Sequence, residues 1–156
     1  MKKSRFALLI LAVASILVPV GIAQAKVHIK DGSYYKAAKD AKHPAFGVIG
    51  TYHGKVTSAS FNMKFKDSKG KLCVPAGLSA YAGYVGVSIT AKKNVKPTSS
   101  GKYKITVKKS TYTPGLTGTV KGKFKSSNKA TISAKLKSGN CVGTYSTSSA
   151  IYTAGG

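Results

Sequence analysis

Apolar and polar residues alternate along most of the chain after residue 26, and this period of two predicts β-strands. The stretch TVKGKFKSSNKATISAKLKSGNC, residues 119–141, places apolar residues on one parity and lysine or hydroxyl residues on the other. Such alternation is typical of a strand with one buried and one exposed face. The polar break at Ser126-Ser127-Asn128 predicts a hairpin. The stretch therefore predicts two paired strands that share a cationic face.

The same alternation predicts strands elsewhere in the chain. Residues 57–66 alternate, turn at Asp67–Gly70 and return through residues 72–74, and shorter alternating runs follow at 85–89, 103–107 and 141–154, the last as one strand or a pair. Residues 26–36 predict a short first strand with a turn at Asp31-Gly32. Residues 37–44, which end at Pro44, predict a loop or a single helical turn. Residues 92–101 predict a polar loop.

This spacing of strands and turns defines the expected fold class. Turn residues recur about every ten positions, and no long helical period is present. We therefore expect an all-β fold, a single antiparallel β-sandwich or a partly open β-barrel of about seven to nine short strands.

The first 25 residues have the three parts of a secretory signal peptide. Lys2, Lys3 and Arg5 form a positive amino-terminal region, Phe6–Val18 is apolar, and Ala23-Gln24-Ala25 fits an A-x-A cleavage site. A retained membrane anchor is the alternative, although the apolar run is short for a bilayer. The sequence thus predicts a signal peptide at 1–25 and a single secreted β-domain at 26–156.

The composition of the predicted mature chain is strongly basic. Residues 26–156 contain 23 lysines, no arginine, no glutamate and three aspartates, which gives a formal charge of +20. Outside a cell, such a charge favours an anionic partner: teichoic acid, acidic polysaccharide, anionic lipid or extracellular DNA. Lysine lacks the planar fork with which arginine reads phosphate or guanine, so we expect diffuse electrostatics and no specific nucleic-acid readout. The alternative is that the charge only keeps the protein soluble.

Outward-facing lysines are concentrated on three consecutive predicted strands. If these strands are neighbours in the sheet, their lysines share one face, because consecutive strands usually pair. Like charges opposite each other destabilise a sheet, so the face is either screened by solvent or reserved for a polyanion. The candidate polyanion-binding residues are Lys102, Lys104, Lys108, Lys121, Lys123, Lys125, Lys135 and Lys137.

The two cysteines predict a disulfide. An even number of cysteines in an exported chain favours pairing, and Cys73 with Cys141 is the single intrachain possibility. A free nucleophilic thiol is the alternative.

Residues suited to catalysis or metal binding are few. A paired-carboxylate glycosidase site would need two of Asp31, Asp40 and Asp67, although aspartate in turns commonly bonds the local backbone. Zinc or copper would need His28, His43 and His53 to come together, and their spacing matches no compact metal motif. No G-x-S-x-G element occurs. We expect no catalytic residue, cofactor or metal.

Two tyrosines in SAYAGYVG, Tyr81 and Tyr84, are flanked by small residues. Exposed tyrosines of this kind stack on sugars or bases, and they also commonly pack at a sheet edge. The packing interpretation is favoured.

Several short motifs occur in a characteristic order: GSYY, then GKVTSASFNMKF leading to LCV, then GKYKI, GTVKGKF, and NC followed by AIYTA. This order resembles small secreted β-domain proteins of actinobacterial type. The resemblance covers most of residues 26–156 and implies a β-domain, export and a disulfide; it implies nothing about activity.

These observations favour a secreted, non-catalytic protein that binds an anionic envelope or matrix polymer through its lysine-rich sheet face. A structural or adhesive surface protein, in which the charge only aids solubility, is the alternative. A small secreted hydrolase is the third hypothesis.

Overall fold

The protein is an antiparallel all-β structure, seen in a computed structural model that describes residues 26–37, 45–108 and 115–154. The predicted signal peptide, His43, Asp40 and the loop or helical turn expected at 37–44, apart from Ala37 at the end of β1, lie outside these ranges. Ten strands occur in the described part of the chain: β1 Gly32–Ala37, β2 Phe46–Tyr52, β3 Lys55–Met63, β4 Phe65–Lys66, β5 Ala80–Tyr81, β6 Tyr84–Val95, β7 Lys102–Lys108, β8 Thr117–Ser126, β9 Lys129–Ser138 and β10 Cys141–Thr153. This part contains no helix long and apolar enough to span a membrane.

All ten strands belong to one sheet that curls into a half-barrel. The order is β5-β6-β3-β2-β1-β10-β9-β8-β7, and β4 pairs with β10 off this path. The curl brings distant strands together inside: the rings of Tyr34 in β1 and Phe124 in β8 have centroids 4.9 Å apart. Phe61 in β3 and Tyr145 in β10 are similarly close, at 5.6 Å. The partly open barrel of the sequence analysis is thus the fold adopted, and two stacked sheets are not.

The core fills the inside of the curl, and its residues come from the apolar parity of each strand. In β7, Tyr103, Ile105 and Val107 are buried and the intervening residues are exposed. Burial therefore fixes the register, since a slip of one residue would bring the lysines inside. The largest fully buried side chains are Tyr34, Phe61, Phe65, Phe124, Ile49, Met63, Leu116, Ile132 and Leu136.

The predicted disulfide is present. Cys73 and Cys141 are bonded, with Cα atoms 5.9 Å apart. Cys73 lies in an irregular segment after β4, where its backbone N–H donates to the Phe65 carbonyl, and Cys141 opens β10. The bond therefore ties the segment after β4 to the middle of the sheet.

The strands differ in detail from those expected. Two of the ten, β4 and β5, have only two residues each, which raises the number above the expected seven to nine. Residues 72–74 form no strand; their backbone makes the isolated Lys66–Leu72 bridge and the hydrogen bond from Cys73 to Phe65. The expected polar loop at 92–101 was wrong in its first part, because β6 continues to Val95, which pairs with Val56. Residues 26–30 precede β1 and are not part of it.

Tyr103 is the basis of a prediction about alkaline stability. Its hydroxyl donates to the Thr131 carbonyl oxygen at 2.9 Å, and burial raises the pKa of the phenol far above its usual value of 10.0. Above pH 10 the unfolded chain would ionise this group while the folded protein would hold it neutral, so stability should fall as pH rises. Tyr103→Phe should remove up to about 1.4 kcal/mol of that loss per pH unit, and cost about 1 kcal/mol at neutral pH.

Urea unfolding of both proteins from neutral pH to well above pH 10 checks this expectation. The remaining titrating groups are the same in the two proteins, so the difference between the curves isolates Tyr103. Parallel curves would contradict the assignment.

Candidate functional site

The eight candidate lysines lie together on the outer surface of three adjacent strands. Strand β7 pairs with β8 and β8 pairs with β9, as their order in the chain suggested. All eight side chains are exposed and belong to the parity opposite the core. We call this surface the lysine face; it consists of Lys102, Lys104, Lys108, Lys121, Lys123, Lys125, Lys135 and Lys137.

Strand pairing arranges this face in rows that cross the strands. The first row runs from Lys102 in β7 to Lys123 in β8 and Thr131 in β9. The second row contains Lys104, Lys121, Ser133 and Ser146; the third contains Thr106, Thr119, Lys135 and Thr144; the fourth contains Lys108, Thr117, Lys137 and Val142. Lys125 extends β8 beyond the first row, next to an irregularity between Phe124 and Ser126.

Four lysines in the first two rows form two directly opposed pairs. Lys102 faces Lys123, and Lys104 faces Lys121. Directly opposed residues on antiparallel strands have Cβ atoms about 5 Å apart, so like charges at these positions repel each other. Removal of the lysines would relieve this repulsion, and so would an anion between them.

A trough of about 680 Å³ lies between the first and second rows. The four paired lysines wall one half of it, and Thr131, Ser133, Ser146 and Ser148 wall the other half. Val95, Lys96 and Thr98, from the end of β6 and the segment before β7, complete its lining. Its floor is the backbone at Tyr103, Gly122, Ile132 and Thr147, because Tyr103 and Ile132 direct their side chains into the core and Gly122 has none. A Cβ at Gly122 would collide on the core side with the Thr131 carbonyl oxygen and the Tyr103 ring, so the position requires glycine.

A second, smaller depression of about 360 Å³ lies beside the trough, between the second and third rows. Its walls are Lys121, Lys135 and six hydroxyl or aliphatic positions of β8, β9 and β10. The face is therefore corrugated, with two parallel depressions across the strands.

The opposite part of the sheet provides a contrast. The outward rows across β2, β3 and β6 are Phe46, Asn62 and Gly86; Val48, Ser60 and Ser88; and Gly50, Ser58 and Thr90. None of these nine residues is charged. These three rows therefore carry no charge, although Lys55 at the start of β3 and Lys92 and Lys93 near the end of β6 are exposed.

No carboxylate of the described residues neutralises the lysine face. Asp31 accepts a hydrogen bond from the Gly54 backbone N–H at 3.1 Å, and the backbone amides of Gly54 and His53 lower its pKa. Asp67 accepts from the backbone N–H groups of Lys69 and Lys71. Asp67 therefore bonds its own turn, as the sequence suggested, whereas Asp31 bonds the turn between β2 and β3, 23 residues away.

Two of the three histidines meet at one end of the barrel. His28 and His53 line a cavity of about 720 Å³, together with Asp31, Lys55 and Lys96. His53 and Gly54 both have positive φ, 48° and 66°, as in the tight turn that joins β2 to β3. Among the described residues, no group of three histidine, cysteine or acidic side chains is placed to hold a metal.

The two candidate tyrosines differ in their environments. Tyr81 is 78% exposed in the edge strand β5. Tyr84 is half-buried, with the Lys64 ammonium 4.8 Å from its ring centroid. Neither tyrosine borders the lysine face.

Sequence reasoning missed two parts of the lysine face and the cavity at the end of the barrel. The sequence indicated part of the hydroxyl half of the trough, because Thr131 and Ser133 alternate with buried residues. It did not indicate which residues of β10 pair with them. Lys129, exposed at the start of β9, was also overlooked. The end cavity carried no signal, since residues 26–31, 53–55 and 96–101 meet only in the folded chain.

Comparison with protein-family models, with curated proteins and with solved structures gave no match.

Proposed function

We propose that this protein is a secreted, non-catalytic binding protein that contacts an anionic envelope or matrix polymer through the lysine face. The observation that carries the proposal is the dense grouping of lysines on one surface. Eight exposed lysines occupy three neighbouring strands, whereas three complete outward rows across β2, β3 and β6 contain no charged residue. Solubility alone does not require lysines to be directly opposed on neighbouring strands, and such opposed pairs cost stability.

The disulfide is compatible with this location. Disulfides persist in oxidising compartments outside the cytosol. Together with the signal peptide predicted at 1–25, the bond supports export, and anionic polymers are abundant outside cells.

The mechanism of binding would be electrostatic. Ammonium groups on the lysine face would replace the counterions condensed on the polymer, and the released counterions would favour association. Because lysine provides a point charge with rotatable donors, one face would accommodate anions in several positions. Affinity should therefore fall steeply with salt.

A comparison of two variants with equal net charge tests the proposal. The first replaces Lys102, Lys104, Lys121 and Lys123 by glutamine; the second replaces Lys69, Lys71, Lys92 and Lys93, which are exposed and lie off the face. We expect the first variant to lose at least about tenfold more affinity for a polyanion than the second, and to have a shallower salt dependence. It should also be at least as stable as the natural protein, because two like-charge cross-strand pairs are relieved.

Titration of both variants against heparin and poly(glycerol phosphate) at several salt concentrations gives the measurement. Equal losses in the two variants would mean that only total charge matters. An absence of binding at low salt in the unsubstituted protein would favour the alternative, a structural or adhesive surface protein whose charge serves solubility.

A further inference from the structure

The trough between the first two rows is lined by hydroxyl groups as well as by cations. One half is cationic, with Lys102, Lys104, Lys121 and Lys123 as its walls, and the other half is lined by hydroxyl groups. The division follows the strands: the four paired lysines stand on β7 and β8, and Thr131, Ser133, Ser146 and Ser148 stand on β9 and β10. A fifth lysine, Lys96, lines the trough from the segment before β7. A ligand lying across the strands would therefore meet cations first and hydroxyls next.

Three of these hydroxyls are free to bind a ligand. Thr131 Oγ1 accepts the Lys123 backbone N–H at 2.8 Å, so it is already used. Ser133, Ser146 and Ser148 make no side-chain hydrogen bond with another residue in the described part of the chain. Ser133 and Ser146 face each other across β9 and β10, so their hydroxyls stand side by side.

The dimensions of the trough limit what can enter it. Its two walls are separated by two residues along a strand, or about 7 Å, and it crosses four strands, or about 14 Å. A single extended polymer chain fits between such walls. A membrane surface or a nucleic-acid duplex is too broad, and would contact the mobile lysine ends above the walls without reaching the serines.

We propose that the trough binds one chain of a polyol phosphate polymer, with a phosphate among the four lysines and the next polyol unit beside Ser133, Ser146 and Ser148. This proposal rests on the proposed function and names its ligand class. A phosphate relieves the repulsion within the pairs Lys102–Lys123 and Lys104–Lys121. A serine hydroxyl can both donate a hydrogen bond to a polyol hydroxyl and accept one from it, whereas the phosphates of an uninterrupted polyphosphate chain only accept.

The test measures the affinity of the natural protein and of a double variant, Ser133→Ala with Ser146→Ala, for two polymers of equal charge. The polymers are poly(glycerol phosphate) and inorganic polyphosphate. Loss of two hydrogen bonds is expected to weaken poly(glycerol phosphate) binding about tenfold and to leave polyphosphate binding within about twofold. Duplex DNA and phosphatidylglycerol vesicles should bind the natural protein and the variant equally.

A matched control replaces a second cross-strand serine pair. Ser60 and Ser88 face each other on β3 and β6 with their Oγ atoms 3.2 Å apart, and neither their row nor the two adjacent rows contain a lysine. Ser60→Ala with Ser88→Ala should leave both polymers bound as before. Equal urea midpoints for the Ser133/Ser146 variant and the natural protein would show that the fold is intact. Ser146→Ala alone, at an exposed position, provides a milder variant.

The outcomes separate this proposal from the proposed function. Unchanged poly(glycerol phosphate) binding by the Ser133/Ser146 variant, or an equal loss for both polymers, would overturn the trough proposal and leave the lysine face as a general polyanion surface. If neither polymer binds the natural protein at low salt, the proposed function itself fails.

Discussion

Replacement of Cys73 and Cys141 by serine is expected to lower the free energy of unfolding by about 4 kcal/mol, one of the two largest effects anticipated in this protein. The bond closes a loop with a sequence separation of 68 residues, and such a loop restricts the unfolded chain substantially. It also holds the irregular segment around Cys73, which has few backbone hydrogen bonds of its own, against β10. The midpoint and slope of urea unfolding measure the effect.

Two further observations would check the same bond. Alkylation of freshly purified protein without reductant should label neither cysteine, and reduction should expose both thiols. A single substitution should leave the other cysteine as a free thiol and cost about as much stability as the double substitution. Two labelled thiols before reduction, or a double variant as stable as the natural protein, would contradict the expectation.

Phe124→Ala is expected to cost about 3–5 kcal/mol, because a large cavity would open where opposite sides of the curl meet. Phe124 is fully buried in β8. Its ring contacts Tyr34 of β1, with centroids 4.9 Å apart, and Tyr103 of β7, at 5.2 Å. Since β1 and β8 are separated in the sheet by β10 and β9, this contact holds the curl closed as well as filling the core.

A phenylalanine outside the core provides the control. Phe46 in β2 is only half-buried and makes its ring contact with Tyr35, at 6.1 Å between centroids. Phe46→Ala should therefore cost about 1 kcal/mol, less than the Phe124 variant by a factor of about three or more. Thermal and urea unfolding of both variants give the comparison, and similar losses would show that the aromatic cluster does not hold the curl together.

The strands that could be predicted were those with one buried and one exposed face. In β7 to β9 the alternation of buried residues and lysines is almost unbroken, and these strands lie close to where the sequence places them. The end of β6 was missed because residues 91–94 are only weakly buried or exposed, so their sequence carries no alternation, although Val95 pairs with Val56. The short strands β4 and β5 are too brief to produce a period.

The candidate site was likewise predictable from the sequence only in part. The eight lysines were predicted on one face because parity along a strand and adjacency of consecutive strands are both local properties. The hydroxyl half of the trough depends on Ser146, and its place opposite Ser133 depends on the pairing of β10 with β9. Two features complicate that register: β10 also pairs with β1 and β4, and it is irregular between Thr147 and Ala150.

The sequence by itself determined the β class, the cysteine pair and the cationic parity of β7 to β9, because period two, the number of cysteines and the spacing of lysines are properties of the chain. Only the tertiary structure decided that one sheet curls on itself, that its centre is β1 between β2 and β10, and that lysines and serines wall a common trough. Contacts such as Tyr34 with Phe124 join residues far apart in the chain. They form because burial of apolar area does not depend on sequence distance, and no local pattern records which distant partner buries it.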